Sequence, residues 1–497
     1  MKYIVWFLGV LFSIIAIGYG VLFTKSGNDF LNPIIESKIK KFTNLDSKLE
    51  SFELNLNSFF VEIALDEDNL LTFKGNYSLS TKAFNVAYRV RLDRLESLQH
   101  LMNKQVRGRF FTDGKIDGDI SYFKIDGSSD LASSDTKYRI AIKDFKPLSI
   151  KSSVRGLEIQ KILYMLKQPH YIDGDLDLNI DMTNLSPNNI KGDVVSKIKK
   201  ATFDSIYLTK TYQFKHTMPK TSFSLYTKTQ IDSNIADTKI NFKSKLLIFS
   251  VKDAKFNLQD SSIYSDYRIF IPNLNNLYFL TDRELRGSFM ANGELQKDKD
   301  LDINLYSNIA GGNIVAKIHN DNLKAKLKSI QTIDLLHIVV YPEVFKSTLD
   351  GKLNYNLVTQ SGNFDGDLVA GRFTKNKVLS LVKEYGRVDL YKEKFSGNVD
   401  AKIKKENILT SLNLKSNKSS ITTKNTKLNM KTKLINSKID IVANKNPITF
   451  RLSGSIDSPK VKVDAKKLIE KEVKKEIKRH IDKQLNKQID RYLKSFF

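Results

Sequence analysis

This sequence of 497 residues contains no cysteine, and that absence excludes several kinds of chemistry. Disulfide bonds, cysteine-based metal sites and thiolate nucleophiles all require a cysteine side chain. The six histidines are scattered, and no two of them have the i, i+4 spacing of a helical zinc site. The nucleophile elbow GxSxG, the P-loop and the dinucleotide motif GxGxxG are also absent. We therefore expect no enzyme activity, no cofactor and no metal site.

One acidic segment resembles the start of a calcium-binding loop, with Asp173, Asp175 and Asp177 at alternate positions. The rest of that loop is missing, because Leu178 stands where a glycine is needed and Asn184 where a bidentate glutamate is needed. The alternation with apolar residues instead indicates a strand whose aspartates face solvent. We therefore expect no calcium site in this segment.

Charged residues are absent from Tyr3 to Phe23, which is a long apolar run at the N-terminus. At about 1.5 Å per residue in a helix, the run can cross a hydrocarbon core of about 30 Å. It is longer than the apolar segment of about 7–15 residues in a secretory signal, and no small-x-small cleavage site precedes Lys25. We therefore expect residues 1–25 to be an uncleaved transmembrane anchor, with the remainder exported.

Lysine and arginine outnumber the acidic residues, and the net charge is +25. Clustered basic residues would favour nucleic acid, whose phosphates they neutralise. Most lysines here alternate with apolar residues instead, as in the segment KINFK at 239–243, which is typical of a solvated strand face. We therefore expect no nucleic acid partner, and anionic lipid headgroups are the better partner for an anchored basic protein.

After residue 50, apolar and polar residues alternate along most of the chain, which is typical of strands with one solvated face. Turn sequences such as Asp173-Gly174 and Asp350-Gly351 separate them, so the pattern predicts an antiparallel meander on the order of 20 strands. A glycine and a strand follow most of the few helical patterns, which suggests an irregular internal repeat. The helical patterns lie near residues 95–102, 159–166, 274–278, 333–340 and 378–385.

Each predicted strand has an apolar face that must be covered, and a few short helices cannot cover so many. Two solutions are open at this point. The sheet folds on itself as stacked sandwiches, or it curls lengthwise into a trough whose apolar inside is completed by a guest. Composition alone slightly favours the sandwich.

The segment 464–497 has a different pattern from the strands. Its apolar residues recur every fourth position among Lys, Glu and Gln, which predicts one long amphipathic helix. From Lys460 to Phe497 there are 13 basic and 6 acidic residues, so the helix either lies on an anionic membrane surface or packs on the last strands. The apolar stripe consists of Val473, Ile477, Ile481, Leu485, Ile489 and Leu493.

Three stretches of the chain resemble the AsmA-like family of Gram-negative envelope proteins. The first is the apolar run followed by residues 28–43, with Asn28-Asp29-Phe30 and a helix running into Phe42-Thr43. The second is the series of helix-then-glycine-strand units. The third is Phe450–Asp464, FRLSGSIDSPKVKVD, which leads into a lysine-rich terminal helix.

This resemblance implies the trough rather than the sandwich. It implies an inner-membrane anchor and a periplasmic, elongated, curled antiparallel β-groove over 26–463, which conducts phospholipid toward the outer membrane, with an outer-membrane or periplasmic protein as a further partner. An alternative function is assembly or scaffolding of outer-membrane proteins by β-augmentation. The predicted groove residues are Leu176, Leu178, Ile180, Phe223, Leu225, Ile240, Phe242, Leu301, Ile303, Leu305, Leu353, Tyr355, Leu357, Leu412, Leu414, Ile439, Ile441, Phe450 and Leu452.

Overall fold

A computed structural model describes residues 23–66, 68–99, 104–386 and 388–464, together with 478–479 and 483–484. Of the predicted anchor, residues 1–25, only residues 23–25 are among the described residues. Among the described residues, no helix combines the length and the apolar character needed to cross a bilayer. The stripe of the predicted terminal helix also lies outside them: Val473, Ile477, Ile481, Leu485, Ile489 and Leu493.

Over the described residues the fold is mainly β, and the 26 strands found there form one antiparallel sheet. Successive strands pair with each other along the chain, as a meander requires. This confirms the predicted antiparallel meander with few short helices. The predicted domain 26–463 falls into two compact units, unit 1 ending at Asp266 and unit 2 beginning at Tyr267.

Unit 1 contains thirteen whole strands and the start of a fourteenth. Its described helices are α1 (Lys25–Thr43), α2 (Ile159–Met165) and α3 (Ser205–Thr211), with 3-10 turns η1 (Leu95–Leu98) and η2 (Leu131–Ser133). Its strands are β1 (Ser47–Leu54), β2 (Ser58–Leu65), β3 (Asn69–Tyr77), β4 (Ala83–Leu92), β5 (Phe110–Asp119), β6 (Tyr122–Ser129), β7 (Asp135–Lys143), β8 (Lys146–Glu158), β9 (Ile172–Asn184), β10 (Lys191–Phe203), β11 (Ser222–Asp232), β12 (Ile235–Ser244), β13 (Ile248–Asn257) and β14 (Ile263–Ile271).

Unit 2 continues from within β14 with the same kind of meander. Its described helices are α4 (Tyr278–Thr281), α5 (Thr332–Ile338) and α6 (Lys377–Gly386), with 3-10 turns η3 (Leu274–Leu277) and η4 (Leu390–Lys392). Its strands are β15 (Phe289–Lys297), β16 (Leu301–Ile309), β17 (Gly312–His319), β18 (Asn322–Gln331), β19 (Phe345–Asn356), β20 (Ser361–Phe373), β21 (Phe395–Lys404), β22 (Asn407–Lys415), β23 (Ser419–Asn429), β24 (Leu434–Ala443), β25 (Asn446–Ser455) and β26 (Lys460–Asp464).

The five predicted helical patterns are all found as helices or 3-10 turns. The first of them is only the turn η1, and residues 100–103 that follow lie outside the described part. The pattern did not predict α3, because its apolar residues Ile206, Tyr207 and Leu208 are consecutive and do not recur within the helix at the i, i+3 or i+4 spacing. The sequence does contain a favourable N-cap residue, Asp204, and in the structure its side chain accepts a hydrogen bond from Tyr207 N at 2.9 Å.

Most of the described helices and 3-10 turns of unit 1 lie at one end of its strands. Antiparallel neighbours run in opposite directions, so every even-numbered strand ends at the edge where the next odd-numbered strand begins. The turns η1 and η2 and the helices α2 and α3 each follow an even-numbered strand. The helix α1 instead runs antiparallel along β1, because its Asn28 bonds to Leu54 at the far end of that strand and its Glu36 to Leu49. We call the end of the strands where η1, η2, α2 and α3 lie the helix edge of unit 1, and the opposite end, with its tight turns, the hairpin edge. Neither term refers to the outer strands of the sheet. In unit 2, α4, α5 and α6 follow β14, β18 and β20, so they also share one edge.

The helix α1 packs on the first strand through one apolar stripe. Leu31, Ile35 and Ile39 recur every fourth residue and are buried. Two side chains of α1 also bind the backbone of β1: Glu36 Oε1 accepts from Leu49 N at 2.7 Å, and Asn28 exchanges two hydrogen bonds with Leu54. The outer edge of β1 is therefore occupied by α1.

The two units share an internal repeat that begins at β4 and β14. Nine identical residues recur 179 positions later between 88–114 and 267–293, including the pair Arg107-Gly108 and Arg286-Gly287. The backbone repeats the same contacts, because Arg107 N donates to Met165 O and Arg286 N donates to Ile338 O, both at 2.9 Å. The helix-then-glycine-strand pattern therefore belongs to a repeat that is ten strands long, from β4 to β14.

Candidate functional site

The strand register of unit 1 places the predicted groove residues on one face. Residues directly opposite each other in an antiparallel pair point to the same side. Ile198 of β10 lies opposite both Leu176 and Leu225, and Leu225 in turn lies opposite Phe242. Because side chains alternate along each strand, the other members follow. We call this set the strip of unit 1, and it consists of Leu176, Leu178, Ile180, Phe223, Leu225, Ile240 and Phe242.

Unit 2 shows the same arrangement. Leu305 lies opposite Ala316, which lies opposite Ala325, and Leu353 lies opposite both Ala325 and Phe364. Leu357 differs, because it lies in the turn after β19 and is exposed. The strip of unit 2 consists of Leu301, Ile303, Leu305, Leu353, Tyr355, Leu412, Leu414, Ile439, Ile441, Phe450 and Leu452.

Coverage along the strip of unit 2 is uneven. Leu414, Ile441 and Phe450 are fully buried in a cluster that includes Leu379 and Val382 of α6. The remaining strip residues are only half-buried, although the residues that alternate with them along the strands are mostly exposed. The strip is therefore closed where α6 packs and partly open to solvent elsewhere.

The strip of unit 1 is covered by aromatic contacts at its helix-edge end. Phe223 is buried and stacks on Phe203 with ring centroids 4.3 Å apart and on Phe242 at 5.3 Å. Leu176, Leu178 and Ile180 are half-buried. This strip also has a covered end and a partly open remainder.

Sequence reasoning missed several half-buried residues on the same face of unit 2. Ile318 lies opposite Ile303 and Leu323, and Val399 lies opposite Leu412. Their signal was available, because β17, β18 and β21 also alternate apolar and polar residues. The strip therefore includes more strands than the predicted residues indicate.

A row of two tyrosines and two glycines crosses the apolar face of unit 1. Tyr88, Gly114, Gly127 and Tyr138 are cross-strand neighbours on β4 to β7. A Cβ at Gly114 would lie 2.7 Å from Tyr88 Oη, and one at Gly127 would lie 2.2 Å from it. The glycines therefore leave room for the tyrosine rings to lie flat over the sheet.

The two tyrosine hydroxyls begin a hydrogen-bonded chain. Tyr88 Oη lies 2.6 Å from Tyr138 Oη, which lies 2.5 Å from Thr112 Oγ1, and Thr112 donates to Ser128 O at 2.7 Å. Because the Thr112 proton goes to Ser128, Tyr138 donates to Thr112 and Tyr88 donates to Tyr138. Burial, with the bond to Tyr138, raises the pKa of Tyr88 far above its ordinary value, so the hydroxyl keeps its proton.

Unit 2 keeps one tyrosine of this row. Tyr267, the counterpart of Tyr88, donates its hydroxyl proton to Asn304 O at 2.9 Å across Gly293. Burial raises the pKa of Tyr267 as well. Each unit thus has a tyrosine hydroxyl whose hydrogen bond is satisfied on the mainly apolar face.

The polar face of unit 1 forms an open concavity of about 1480 Å³. Its basic and acidic side chains partly neutralise each other, as Arg139 pairs with Asp126 and Lys151 with Asp181. These pairs are well exposed, and such pairs contribute little to stability. Of the predicted groove residues, Ile180 lines this concavity. The concavity therefore has mainly the features of a solvated strand face, although Ile180 of the strip also lines it.

The aspartates that resembled a calcium loop have different structural positions. Asp173 and Asp175 are exposed on β9. Asp177 Oδ1 accepts a hydrogen bond from Gly156 N at 3.0 Å, where β8 bulges before α2. Asp350 Oδ1 accepts from Ser329 N at 2.6 Å at the corresponding bulge of β18. Within the described ranges, no group of His, Asp and Glu side chains is placed to hold a metal ion.

Comparison with protein-family models, with curated proteins and with solved structures found no match to this chain. The resemblance to the AsmA-like family therefore stays a prediction from the quoted motifs. The functional argument rests on the two strips and on the residues that surround them.

Proposed function

We propose that this chain is a lipid-transfer protein of the Gram-negative envelope. In this proposal residues 1–25 anchor it in the inner membrane, the remainder lies in the periplasm, and the strips of both units hold the acyl chains of phospholipid moving toward the outer membrane. The predicted lengthwise curling of the sheet is part of the same proposal. The observation that carries it is an apolar strip that stays half-buried along most of its strands.

A half-buried strip favours an acyl chain for an energetic reason. Each methylene group removed from water contributes about 0.8 kcal/mol, so a bound acyl chain gains from contact with side chains that the protein itself leaves partly wet. The phospholipid headgroup stays in water, because the strip offers few polar partners. A packed sandwich core would have buried these residues fully.

The test uses the full chain extracted in mild detergent, with the phospholipid that it carries measured by mass spectrometry. An aspartate in the strip places a charge against the acyl chain, which has no group to pair with it. The test variants are Leu178→Asp, Ile303→Asp and Leu412→Asp. The matched controls carry the same new charge one residue further along each strand, on the other face: Asn179→Asp, Asn304→Asp and Asn413→Asp.

We expect the strip variants to lose bound phospholipid while the control variants retain it, with all six folded by circular dichroism. Equal phospholipid content in both sets would contradict the proposal. Absence of phospholipid from the unmodified chain would contradict it as well.

The alternative function, assembly of outer-membrane proteins by β-augmentation, requires a free strand edge. The edge of β1 is occupied by α1 through Asn28 and Glu36. At the other end, Lys460 and Lys462 in the described part of β26 are typical of a protected edge. Both observations count against strand addition.

A further inference from the structure

The four tight turns at the hairpin edge of β1 to β8 each contain a large apolar residue. Turn positions usually carry glycine, asparagine, aspartate or serine, which are small or polar. Because β1 to β8 pair in chain order, these turns follow one another along the hairpin edge, roughly 10 Å apart. The apolar residues are Leu56 in turn 55–57, Leu79 in turn 78–82, Ile120 in turn 120–121 and Phe145 in turn 144–145.

The first of these turns holds its leucine toward solvent. Its backbone is bonded on both sides, because Asn55 N donates to Ser58 O at 2.8 Å and Tyr77 Oη donates to Asn55 O at 2.6 Å. The side chain of Leu56 is nevertheless 58% exposed. The turn is therefore fixed by hydrogen bonds that do not need an apolar residue at its tip.

The fourth turn has an aromatic residue where the backbone favours glycine. Asp144 and Phe145 have φ angles of +47° and +56°, in the left-handed region that suits asparagine and glycine. The ring of Phe145 meets that of Phe123 with centroids 6.2 Å apart, yet Phe145 stays 43% exposed. Part of this ring therefore covers the sheet, and the rest is presented outward.

The start of α1 lies at the same edge. Asn28 exchanges two hydrogen bonds with Leu54, the last residue of β1, so the N-terminus of α1 lies beside the first turn. Phe30, two residues further on, is 67% exposed. Phe23, which ends the apolar run, packs partly against the apolar cluster of unit 1. The proposed anchor therefore joins the described residues at the hairpin edge.

Charges at this edge nearly cancel. The four turns, one strand residue on each side of them and residues 25–30 together contain four lysines and three aspartates. At the opposite edge, the loops 66–68, 93–109 and 130–134 between the same strands contain six acidic and four basic residues. A membrane contact at the hairpin edge would therefore depend on apolar side chains and only weakly on charge.

We infer that the hairpin edge of β1 to β8 lies in the headgroup boundary of the bilayer that holds the anchor, with Leu56, Phe145 and Phe30 inserted among the lipids. Exposed apolar side chains gathered on one side of a molecule are typical of a membrane contact. The inference rests on the proposed function only through the anchor. It adds the side of the molecule that meets the membrane, which the strips do not determine.

The test uses the absence of cysteine from the chain. Thr81→Cys provides a single thiol for a fluorophore at an exposed position of the second turn, and Gln105→Cys is the matched control at an exposed position of the helix edge. Neither label replaces an apolar residue of the turns. Each labelled full-length chain is reconstituted into vesicles of phosphatidylcholine, which carries no net charge, together with nitroxide-labelled lipid.

We expect the nitroxide lipid to quench the label at position 81 and to leave the label at 105 bright. Raised ionic strength should leave the quenching at 81 unchanged, because salt screens charges and not apolar contacts. Three results overturn the inference: equal quenching at both positions, no quenching at 81 on a chain that floats with the vesicles, and recovery of the fluorescence at 81 in high salt.

A double variant separates apolar insertion from mere closeness to the anchor. Leu56→Asn with Phe145→Asn removes both side chains and suits a left-handed turn, so we expect it to fold. Each large apolar side chain withdrawn from water favours the inserted state about tenfold, so the pair lowers its population about a hundredfold and the quenching at 81 is lost.

The matched control for the double variant is Leu166→Asn with Ile206→Asn. It removes two exposed apolar side chains at the helix edge and is expected to keep the quenching at 81. If the Leu56→Asn, Phe145→Asn chain is quenched like this control, closeness to the anchor alone explains the signal and the inference fails.

Failure of this inference and failure of the proposed function give different results. Phospholipid carried in the strips is measured on detergent-extracted protein, where no bilayer is present. A chain that carries phospholipid without quenching at 81 retains the lipid-transfer proposal and loses the membrane-facing edge. Quenching at 81 without bound phospholipid retains the edge and loses lipid transfer. A chain that does not float with the vesicles loses both the anchor and the edge.

Discussion

Two leucines on β22 provide a direct test of the partly open strip. Leu412 and Leu414 alternate with the same polar neighbours and point to the same face of the sheet. Leu414 is fully buried in the cluster beneath α6, whereas Leu412 is half-buried between Val399 and Thr423. An aspartate therefore lowers the free energy of unfolding by a different amount at each position. The difference arises only because Leu414 is covered and Leu412 is partly open to solvent.

The losses of unfolding free energy expected for Leu414→Asp and Leu412→Asp differ by several kcal/mol. Burying a leucine side chain fully contributes about 1.5–3 kcal/mol, and Leu414→Asp loses this contribution and also leaves a buried charge without a partner. The two effects together cost about 5 kcal/mol or more, comparable with the total stability of many domains. At Leu412 most of the transfer energy of about 1.5–3 kcal/mol is at stake, but the new carboxylate reaches water, so Leu412→Asp costs about 2 kcal/mol.

Hydrogen exchange of the full chain in mild detergent, followed by mass spectrometry, measures this difference within β21 to β23. We expect Leu414→Asp to abolish protection there, and Leu412→Asp to leave most of it in place. Asn413→Asp, on the other face, is expected to behave like the unmodified chain. If Leu412→Asp removes as much protection as Leu414→Asp, the strip is covered like a closed core and the reasoning is wrong.

Two further predictions concern other parts of the chain. Gly114→Ala places a Cβ 2.0 Å from Asp126 O and 2.7 Å from Tyr88 Oη, so we expect the free energy of unfolding in denaturant to fall by at least about 3 kcal/mol. Ser128→Ala, on the exposed face, is the control. Equal denaturation midpoints for the two variants would contradict the flat packing of Tyr88 over this glycine. A peptide of residues 466–497 is expected to become helical on anionic vesicles and to release as ionic strength rises, as circular dichroism would show. An unstructured peptide, with a lower melting temperature after the segment is deleted from the full chain, would instead indicate that it packs on the last strands.

The sequence by itself determined the class of fold and the face on which each apolar residue lies. Side chains in a strand alternate with a period of two, so the pattern around Ile303 or Leu412 specifies both the strand and its apolar side. Helices such as α2 and α6 were predictable for the same kind of reason, because their apolar spacing is local. The helix α3, although as long as α2, was missed because its apolar residues Ile206, Tyr207 and Leu208 are consecutive and lack that spacing.

Only the tertiary structure decided which apolar residues are covered. Leu412 and Leu414 are equivalent in the alternating pattern, but Leu414 is a fully buried member of the cluster that includes Leu379 and Val382 of α6, whereas Leu412 packs against that cluster and is only half-buried. The arrangement of Tyr88 and Tyr138 likewise depends on glycines of two intervening strands. The shared helix edge follows from counting every strand of the meander, so no single motif reveals it. Burial and edge position depend on contacts between residues far apart in sequence, whereas the periodic pattern reports only on neighbours along the chain.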